Sequence, residues 1–224
     1  MKIATIEVNN AAHVAIHVGG EWRDATAALG VQSTTEVIGR EAWTQALCDE
    51  IAAAGDAYVL EAPLHFLLPY QPGKIIAIGR NYADHVAEFD NNMPEEPIFF
   101  AKSVTALLPP EEPIVIQEWY GRTDHEGELG VVVGKTCKDT ADEQAREAVA
   151  GYTLVNDVTA RTMQKRDMGQ GNPWFRSKNL DTFCPIGPVV TLPGALPWPV
   201  EVDIQVRVNG ETRQAGNTKQ FIFK

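Results

Sequence analysis

Alternating apolar and polar residues mark the first strands of the chain. KIATIEV, at residues 2–8, and HVAIHV, at residues 13–18, place apolar side chains at about every second position, which is typical of strands. An Asn-Asn pair separates the two runs, and a Gly-Gly pair turns the chain into EWRDA. Such pairs between alternating runs are typical of tight hairpin turns. The pattern therefore predicts a small β-meander.

A helical period follows the meander. Over about residues 41–54, Trp43, Leu47 and Ile51 recur at spacings of four, which places them on one face of a helix. LLPYQPGK then interrupts the pattern with two prolines and a glycine, as expected of a linker. We therefore predict a small N-terminal α+β domain over residues 1–70.

Apolar strands recur through the rest of the chain. KIIAIG begins at Lys74, a second run covers residues 97–102, and a third ends at Val155, shortly before Asp157. VEVDIQVRVNGETRQ alternates well and turns at an Asn-Gly pair, which is a strong hairpin signal. DMGQGNPWFRSKNLDTF is rich in glycine and aromatic residues and has no clear period. It suits a loop over a site, followed by a strand that carries Lys178.

The segment DHEGELGVVVGK, residues 124–135, holds the first candidate chemistry. Glu126 and Glu128 are two apart on a strand pattern, so their side chains emerge on the same face. Gly127 leaves the other face bare, which lets a neighbouring backbone approach closely. Two like charges side by side repel, and a divalent cation resolves the conflict because it prefers carboxylate oxygens. A solvated strand end is the alternative at this point.

A third carboxylate, Asp157, lies where an apolar strand stops and a helical pattern begins. It could act only as the N-cap of that helix. Beside Glu126 and Glu128, it would complete a set of three oxygen ligands with room left for water or substrate. Taken together, the three carboxylates favour a metal site over a cap and a solvated strand end.

Two pairs of side chains at helical spacing add candidate catalytic and binding groups. His85 and Glu88 are three apart, and a carboxylate beside a histidine raises its basicity and fixes its orientation. Without further support, a surface helix pair is the simpler interpretation of these two. Arg161 and Gln164 also lie three apart, where a guanidinium binds a carboxylate and an amide donates to a carbonyl. A solvated helix face is the simpler interpretation of Arg161 and Gln164, and only the neighbouring Asp157 favours a binding site instead.

Four motifs stand in order along the second part of the chain: GRNYADHVAE from Gly79, EGELGVVVGK, VNDVTAR with Gln164 after it, and SKNLDTFCPIGP. In sequence and spacing they closely resemble the fumarylacetoacetate hydrolase family over about residues 72–218. The resemblance implies an α+β, mostly β fold with a rolled mixed β-sheet core and flanking helices. It places a catalytic domain at residues 71–224 and makes residues 1–70 a variable appendage.

The resemblance assigns roles to the candidate residues. It implies a Mg²⁺ or Mn²⁺ ion, with Ca²⁺ as a substitute in crystals, and a 2-oxo acid substrate. The metal ligands would be Glu126, Glu128 and Asp157. The catalytic groups would be the His85–Glu88 dyad, which activates water, and Lys178, whose ammonium stabilises an oxyanion or enolate. The substrate would be bound by Arg161, Gln164, Arg80, Tyr82 and Lys102, the last as a candidate for the edge of the pocket.

The implied reaction is metal-dependent hydrolysis of a C–C bond in a 2,4-dioxo acid of acylpyruvate or fumarylpyruvate type, through an enolate. The same enolate serves two alternatives, which are decarboxylation of an oxaloacetate-like acid and isomerisation of a 2-hydroxy-dienoate diacid, of the hydroxyheptadienedioate kind, from aromatic catabolism. A metal-binding relative without turnover is an alternative of another class. His85, Glu88 and Lys178 argue for an enzyme, because metal binding alone needs none of them.

The C-terminal end departs from the family pattern. The chain ends at NTKQFIFK, whereas family members usually continue with a helix, a further strand pair and a glycine–threonine–proline loop that lines the substrate pocket. The domain at residues 71–224 is therefore expected to lack the usual C-terminal segment. A fragment, a chain that stops where order stops and a protein that has lost part of its site all remain open as explanations.

Composition narrows the expected partners and compartment. Nineteen basic and thirty acidic residues give a net charge of −11, which argues against a nucleic-acid or anionic-membrane surface. The N-terminus shows no apolar signal region, and no apolar run approaches membrane-spanning length. Three cysteines without a C-x-x-C predict reduced, buried thiols in a cytoplasmic protein. The family resemblance adds a homodimer to these expectations.

Overall fold

The computed structural model describes residues 1–38, 45–54, 59–83 and 93–223, with residues 45–48 described by their backbone alone. The strands are β1 (Lys2–Val8), β2 (Ala11–Val18), β3 (Glu21–Asp24), β4 (His65–Phe66), β5 (Ile75–Gly79), β6 (Ile98–Lys102), β7 (Leu107–Leu108), β8 (Thr123–Asp124), β9 (Gly127–Val133), β10 (Val149–Asn156), β11 (Thr159–Ala160), β12 (Cys184–Pro185), β13 (Val190–Thr191), β14 (Asp203–Val208) and β15 (Glu211–Asn217). The α-helices are α1 (Thr26–Leu29), α2 (Thr34–Val37), α3 (Gln45–Ala53), α4 (Asp142–Glu147), α5 (Arg161–Gly169) and α6 (Phe175–Lys178). Across these ranges, no helix has the length and apolar character needed to cross a membrane.

A seven-stranded antiparallel sheet forms the centre of the fold. Its order is β3–β2–β1–β13–β10–β9, and β4 also pairs with β1. The N-terminal strands join the sheet through Lys2 and Ile3, which lie opposite Thr191 and Val190 of β13. The boundary placed near residue 70 stays a prediction, and the sheet is continuous across it.

One apolar cluster joins the N-terminal strands to the later part of the sheet. Ile3 of β1 is fully buried and packs in the same cluster as Val132 of β9 and Val190 of β13. Ala4 and Ile6, whose side chains point to the other face of β1, are also fully buried. β1 is therefore covered on both faces, which explains why its sequence is apolar at most positions.

Among the residues that the structure describes, four two-stranded ribbons accompany the central sheet. β5–β6, β8–β11 and β14–β15 are antiparallel, whereas β7–β12 is parallel. The turn of β14–β15 falls at Asn209 and Gly210, whose φ angles of 52° and 83° lie in the left-handed region. Asparagine and glycine adopt this region at the lowest cost, so the hairpin predicted from the Asn-Gly pair is confirmed.

The mostly β fold is confirmed, and three local predictions need correction or restriction. Lys178 lies in the short helix α6 and not on a strand. Gly127 faces side chains of β14 and β15 instead of a neighbouring backbone, since a Cβ there would lie 2.5 Å from Val206 Cγ2. The predicted helix over residues 41–54 is described only from Gln45 to Ala53, because its first residues lie outside the described ranges.

Candidate active site

The antiparallel pairing of β9 with β10 brings the candidate carboxylates together. Gly127 at the start of β9 lies opposite Asn156 at the end of β10, so the residues just outside the two strands become neighbours. The Asp157 backbone N–H donates to the Glu126 carbonyl at 2.8 Å, and the Glu126 N–H donates to the Asn156 side chain at 3.0 Å. Glu128, the second residue of β9, lies opposite Val155. Residues about thirty apart in sequence thus share one end of the sheet.

A buried lysine lies between two of these carboxylates. The Lys178 ammonium is 2.5 Å from Glu126 Oε2 and 2.5 Å from Asp157 Oδ2. Only 3% of Lys178 and 6% of Asp157 are exposed to solvent. Lysine and aspartate are rarely buried this deeply unless they are paired. The lysine that the family resemblance placed in the site is therefore the centre of its charge network.

Lys102 completes the same network from β6. Its ammonium donates to Asp157 Oδ1 and to the Lys178 backbone carbonyl, both at 2.6 Å. Lys102 is 3% exposed, so it lies inside the cluster and not at the pocket edge, where the sequence placed it. The charges of Lys178 and Lys102, together with their hydrogen bonds, hold the pKa of Asp157 below its usual range against the opposing effect of burial.

Arg161, the first residue of α5, contacts the cluster from its other side. Its guanidinium donates to Asp124 Oδ2 at 3.0 Å, to the Gln164 side chain at 3.0 Å, and to Glu126 Oε1. The predicted pairing of Arg161 with Gln164 on one helix face is therefore present. Sequence reasoning missed Asp124, although it stands two residues before Glu126 in the same motif. Asp157 does not cap the helix, because the N-cap of α5 is Ala160.

Glu128 is the carboxylate that the cluster leaves uncompensated. Within the described residues, no hydrogen bond or ion pair reaches its side chain. Burial is the main cause that raises the pKa of Glu128 to about 8. The charges of Glu126 and Asp157 act in the same direction, and the charge of Lys178 acts against them. Burial and the Glu128 charge also raise the pKa of Tyr82, whose buried hydroxyl has no hydrogen-bond partner among the described residues. Glu128 and the Tyr82 hydroxyl, both without a hydrogen-bond partner in the described part of the chain, therefore lie close enough for their charges to interact.

The donor chemistry of the cluster fits a divalent cation, but its present geometry does not. In the described part of the chain, no three His, Cys, Asp or Glu side chains are arranged to hold a metal ion. The Lys178 ammonium lies between Glu126 and Asp157, and Glu128 has no hydrogen-bond or ion-pair partner among the residues that the structure describes. Three carboxylates supply the hard oxygen ligands that Mg²⁺ and Mn²⁺ prefer, and burial, followed by the charges of the other two carboxylates, raises the pKa of Glu128. Metal binding at these residues requires the Lys178 side chain to move.

Aromatic side chains connect the cluster to Arg80. The Lys178 ammonium lies 5.1 Å from the centre of the Phe100 ring, and Phe100 packs edge-on against Trp174 at 5.6 Å. The Arg80 guanidinium lies 5.9 Å from the Trp174 ring centre. Gly79 makes room for this packing, since a Cβ there would lie 2.6 Å from the Trp174 ring. The structure thus brings Arg80 to the Lys178 side of the site, and its binding role stays a prediction.

The proposed catalytic dyad lies outside the described residues. His85 and Glu88 both fall in the range 84–92, for which no structure is described. The described chain stops at Ala83, directly after Tyr82, whose ring packs against Phe221 at a centroid distance of 4.8 Å. The roles of His85 and Glu88 therefore stay predictions.

The cysteines differ in their exposure. Cys184 is buried, and burial raises the pKa of its thiol to about 11, so it stays protonated at neutral pH and is a poor nucleophile. Cys137 is exposed, which contradicts the expectation that all three thiols are buried. The side chain of Cys48 lies outside the described part of the structure.

Comparison with known proteins decides the family of the chain. Residues 74–224 match the family model described as fumarylacetoacetate (FAA) hydrolase C-terminal. The chain belongs to the fumarylacetoacetate hydrolase family. The resemblance inferred from the four motifs is therefore confirmed.

One curated relative of this fumarylacetoacetate hydrolase family member carries the name of an enzyme. The chain is 40% identical over 181 residues to 2,4-didehydro-3-deoxy-L-rhamnonate hydrolase of Sphingomonas sp. (strain SKA58), and the match covers 78% of this chain and 62% of that protein. This chain therefore spans about three fifths of the length of that curated relative.

Two solved structures share the fold over nearly the whole chain. The fumarylacetoacetate hydrolase (EaFAH) of the psychrophilic Exiguobacterium antarcticum is 35% identical, with a TM-score of 0.83 and coverage of 99% of this chain and 76% of that one. Maleylpyruvate hydrolase of Sphingobium sp. SYK-6, solved with manganese(II) and pyruvate, is 29% identical, with a TM-score of 0.76 and coverage of 99% and 78%.

Proposed function

We propose that this protein is a divalent-metal-dependent hydrolase that cleaves a C–C bond in a 2,4-dioxo acid of the acylpyruvate or fumarylpyruvate type. The observation that carries the proposal is the charge cluster at the ends of β9 and β10, in which the buried Lys178 ammonium bridges Glu126 and Asp157. Carboxylates and cations in one cluster suit a substrate that is itself a chelating anion. The manganese and pyruvate in the maleylpyruvate hydrolase neighbour support this class, since pyruvate is the product of such a cleavage.

A Mg²⁺ or Mn²⁺ ion would be held by Glu126, Glu128 and Asp157. Bound there, the ion would supply the Lewis acidity that polarises the 2-oxo group of the substrate. The lysine that now bridges two of these carboxylates would turn its ammonium toward the substrate.

The other described residues would bind and polarise the substrate. Arg161, held by Asp124 and beside Gln164, presents a guanidinium suited to the substrate carboxylate. Lys178 would donate a hydrogen bond to the 2-oxygen as negative charge builds up there. The hydroxyl of Tyr82, which has no hydrogen-bond partner within the described ranges, would donate to a second oxygen of the substrate. Each contact would satisfy a group that is charged or unpaired in the protein alone.

The bond-breaking step is assigned to residues outside the described ranges and rests on the sequence. His85, oriented by Glu88, would accept a proton from a water molecule whose oxygen attacks the C4 carbonyl. The C3–C4 bond then breaks, and its electron pair passes to C3 and the 2-oxygen as a pyruvate enolate. C4 leaves as a carboxylic acid, and the proton held by His85 is delivered to C3. One water is consumed and no redox change occurs.

The test is pyruvate release from an acylpyruvate and from oxaloacetate, with Mg²⁺ and then with EDTA. Glu126→Ala should abolish turnover of both substrates, because it removes a metal ligand. His85→Ala should abolish acylpyruvate cleavage but leave oxaloacetate decarboxylation, since the latter needs no attack by water. Glu112→Ala, at an exposed site, is the matched control and should behave like the unchanged protein.

The alternative activities predict different results in the same assay. Turnover of oxaloacetate alone would favour a decarboxylase, and conversion of a 2-hydroxy-dienoate diacid without pyruvate release would favour an isomerase. Binding of Mn²⁺ without turnover of any of these substrates would overturn the proposal and indicate an inactive relative.

A further inference from the structure

A glutamine side chain from the C-terminal hairpin binds the backbone between two of the proposed metal ligands. The Gly127 N–H donates to Gln214 Oε1 at 2.8 Å, and Gln214 Nε2 donates to the Gly127 carbonyl at 2.8 Å. The two residues are 87 apart in sequence. One carboxamide thus satisfies both polar groups of one residue, as a neighbouring strand would do.

Gly127 is held from its other side by the central sheet. It lies opposite Asn156 in the pairing of β9 with β10. Side chains of the hairpin also close on it, because a Cβ at this position would lie 2.5 Å from Val206 Cγ2 and 3.4 Å from Ile204 Cγ2. The backbone between Glu126 and Glu128 is therefore fixed by hydrogen bonds on one edge, by a strand on the other, and by close packing.

We propose that Gln214 is a positioning residue that sets the relative orientation of the Glu126 and Glu128 carboxylates for metal binding. Both side chains leave the backbone at residues joined directly to Gly127, so a rotation of either adjoining peptide plane would change the direction of one carboxylate relative to the other. Groups that orient metal ligands through hydrogen bonds usually affect metal affinity strongly. The inference rests on the proposed metal site and concerns a residue that touches neither metal nor substrate.

Docking of the hairpin onto β9 is the ordinary role that the same contacts would serve. A docking role alone would lower stability and leave the metal affinity of the folded protein unchanged. The chain offers a control on the same hairpin: Gln205 of β14 is exposed and lies opposite Ala215 in the pairing with β15. Replacing Gln205 changes the hairpin without changing any contact to Gly127.

The experiment compares Mn²⁺ binding by electron paramagnetic resonance in the full chain and three variants. Gln214→Met fills a similar volume but forms neither hydrogen bond, Gln205→Met is the matched control, and Glu128→Gln removes a proposed ligand. We expect Gln214→Met to weaken Mn²⁺ binding about 10-fold, a typical cost of losing a supporting hydrogen bond. Its melting temperature in EDTA should fall below that of Gln205→Met, because the buried Gly127 N–H and carbonyl lose their partner, so Mn²⁺ affinities are compared at a temperature where both variants are folded. Excess Mn²⁺ should restore its activity, because no catalytic group is lost.

The outcomes test the positioning role of Gln214 separately from the proposed metal site. The positioning role is overturned if folded Gln214→Met binds Mn²⁺ as tightly as Gln205→Met. If Glu128→Gln weakens Mn²⁺ binding in the same experiment, the proposed metal site still stands. An unchanged protein that binds no Mn²⁺ overturns both the metal site and the positioning role. If Gln214→Met does not fold, Gln214→Asn, one methylene too short to reach both groups, replaces it with the same two outcomes.

Discussion

At the scale of single residues, the main feature is the burial of two lysine ammoniums against one aspartate. Lys102 and Lys178 bind opposite oxygens of Asp157, and each lysine is 3% exposed. A buried charge is stabilised only by its partners. Removal of one partner therefore lowers the free energy of unfolding far more than removal of a partner from a surface ion pair.

We predict that Lys102→Met lowers the free energy of unfolding by about 3 kcal/mol in EDTA, because Asp157 would lose one of its two ammonium partners. Urea denaturation followed by circular dichroism measures the change. Lys138→Met is the control, since Lys138 pairs with Asp139 at 3.9 Å on the surface with both side chains more than four-fifths exposed. Equal midpoints for the two variants would contradict the prediction.

Glu128 makes the stability of the metal-free protein depend on pH. Its folded-state pKa of about 8 lies above the ordinary value of 4.5, so folding favours its protonated form. The unfolded chain loses this proton near pH 4.5, and the folded protein keeps it until about pH 8. The contribution of Glu128 to stability is therefore fully present below pH 4.5 and declines as pH rises to 8.

We predict that Glu128→Gln removes this decline. In EDTA, the melting temperature of Glu128→Gln should exceed that of the unchanged protein by a margin that widens between pH 5 and pH 8, then levels off. Glu112→Gln, at an exposed site, should show no such margin. A margin that is constant with pH would show that Glu128 is not destabilised in the folded state.

The metal-ligand candidates could be predicted from the sequence, and their ion-pair partners could not. Glu126 and Glu128 are identified by their spacing of two on a strand pattern, and Asp157 by its place at a strand end. The partners Lys102 and Lys178 lie 55 and 21 residues from Asp157, so their pairing depends on the fold of the whole chain. A lone lysine in a sequence carries no signal for such burial.

At the scale of elements, the apolar period of the sequence predicted the longer strands correctly but did not predict the helix α6. This helix has only four residues, which is too short for an apolar period. Its backbone is stabilised by side chains instead: Ser177 donates to the Trp174 carbonyl at 2.9 Å, and Asn179 donates to the Phe175 carbonyl at 2.6 Å. Arg176 also binds the fully buried Asp167. These contacts involve polar residues that sequence patterns assign to loops.

The hairpin β14–β15 allows a prediction with a control in the same chain. Gly210 has a φ of 83° with open space around it, so Gly210→Ala adds backbone strain but no clash. We expect a loss of about 1 kcal/mol in the free energy of unfolding. Gly194→Ala also enters open space, without a left-handed φ, and should be neutral or slightly stabilising. Urea midpoints measure both, and equal effects would contradict the assigned turn.

At the scale of the whole molecule, the central sheet unites the N-terminal strands with the strands of the site. The pairing of β1 with β13 and the shared burial of Ile3, Val132 and Val190 could not be read from local patterns, since they join residues more than a hundred apart. The homodimer and the cytoplasmic location expected from the sequence stay predictions.

We predict that a chain of residues 71–224 alone does not unfold cooperatively. Loss of β1 would uncover Val190 and leave an open edge on β13 next to the strands of the site. Urea titration followed by circular dichroism and fluorescence measures this. The control is the full chain with Ile3→Val, which should unfold cooperatively with a loss of about 1 kcal/mol. A sharp transition in the shortened chain would show that the domain boundary near residue 70 also bounds an independent folding unit.

The position of the Lys178 ammonium between Glu126 and Asp157 has a consequence for the order of events in the proposed reaction. In the metal-free protein this ammonium occupies the place proposed for the cation, so metal loading would exchange one positive charge for another. The exchange would release the same ammonium that is proposed to donate to the substrate oxygen. The metal-free chain would thus keep Glu126 and Asp157 paired with Lys178, and the ammonium would become free to bind the substrate only after the metal is bound.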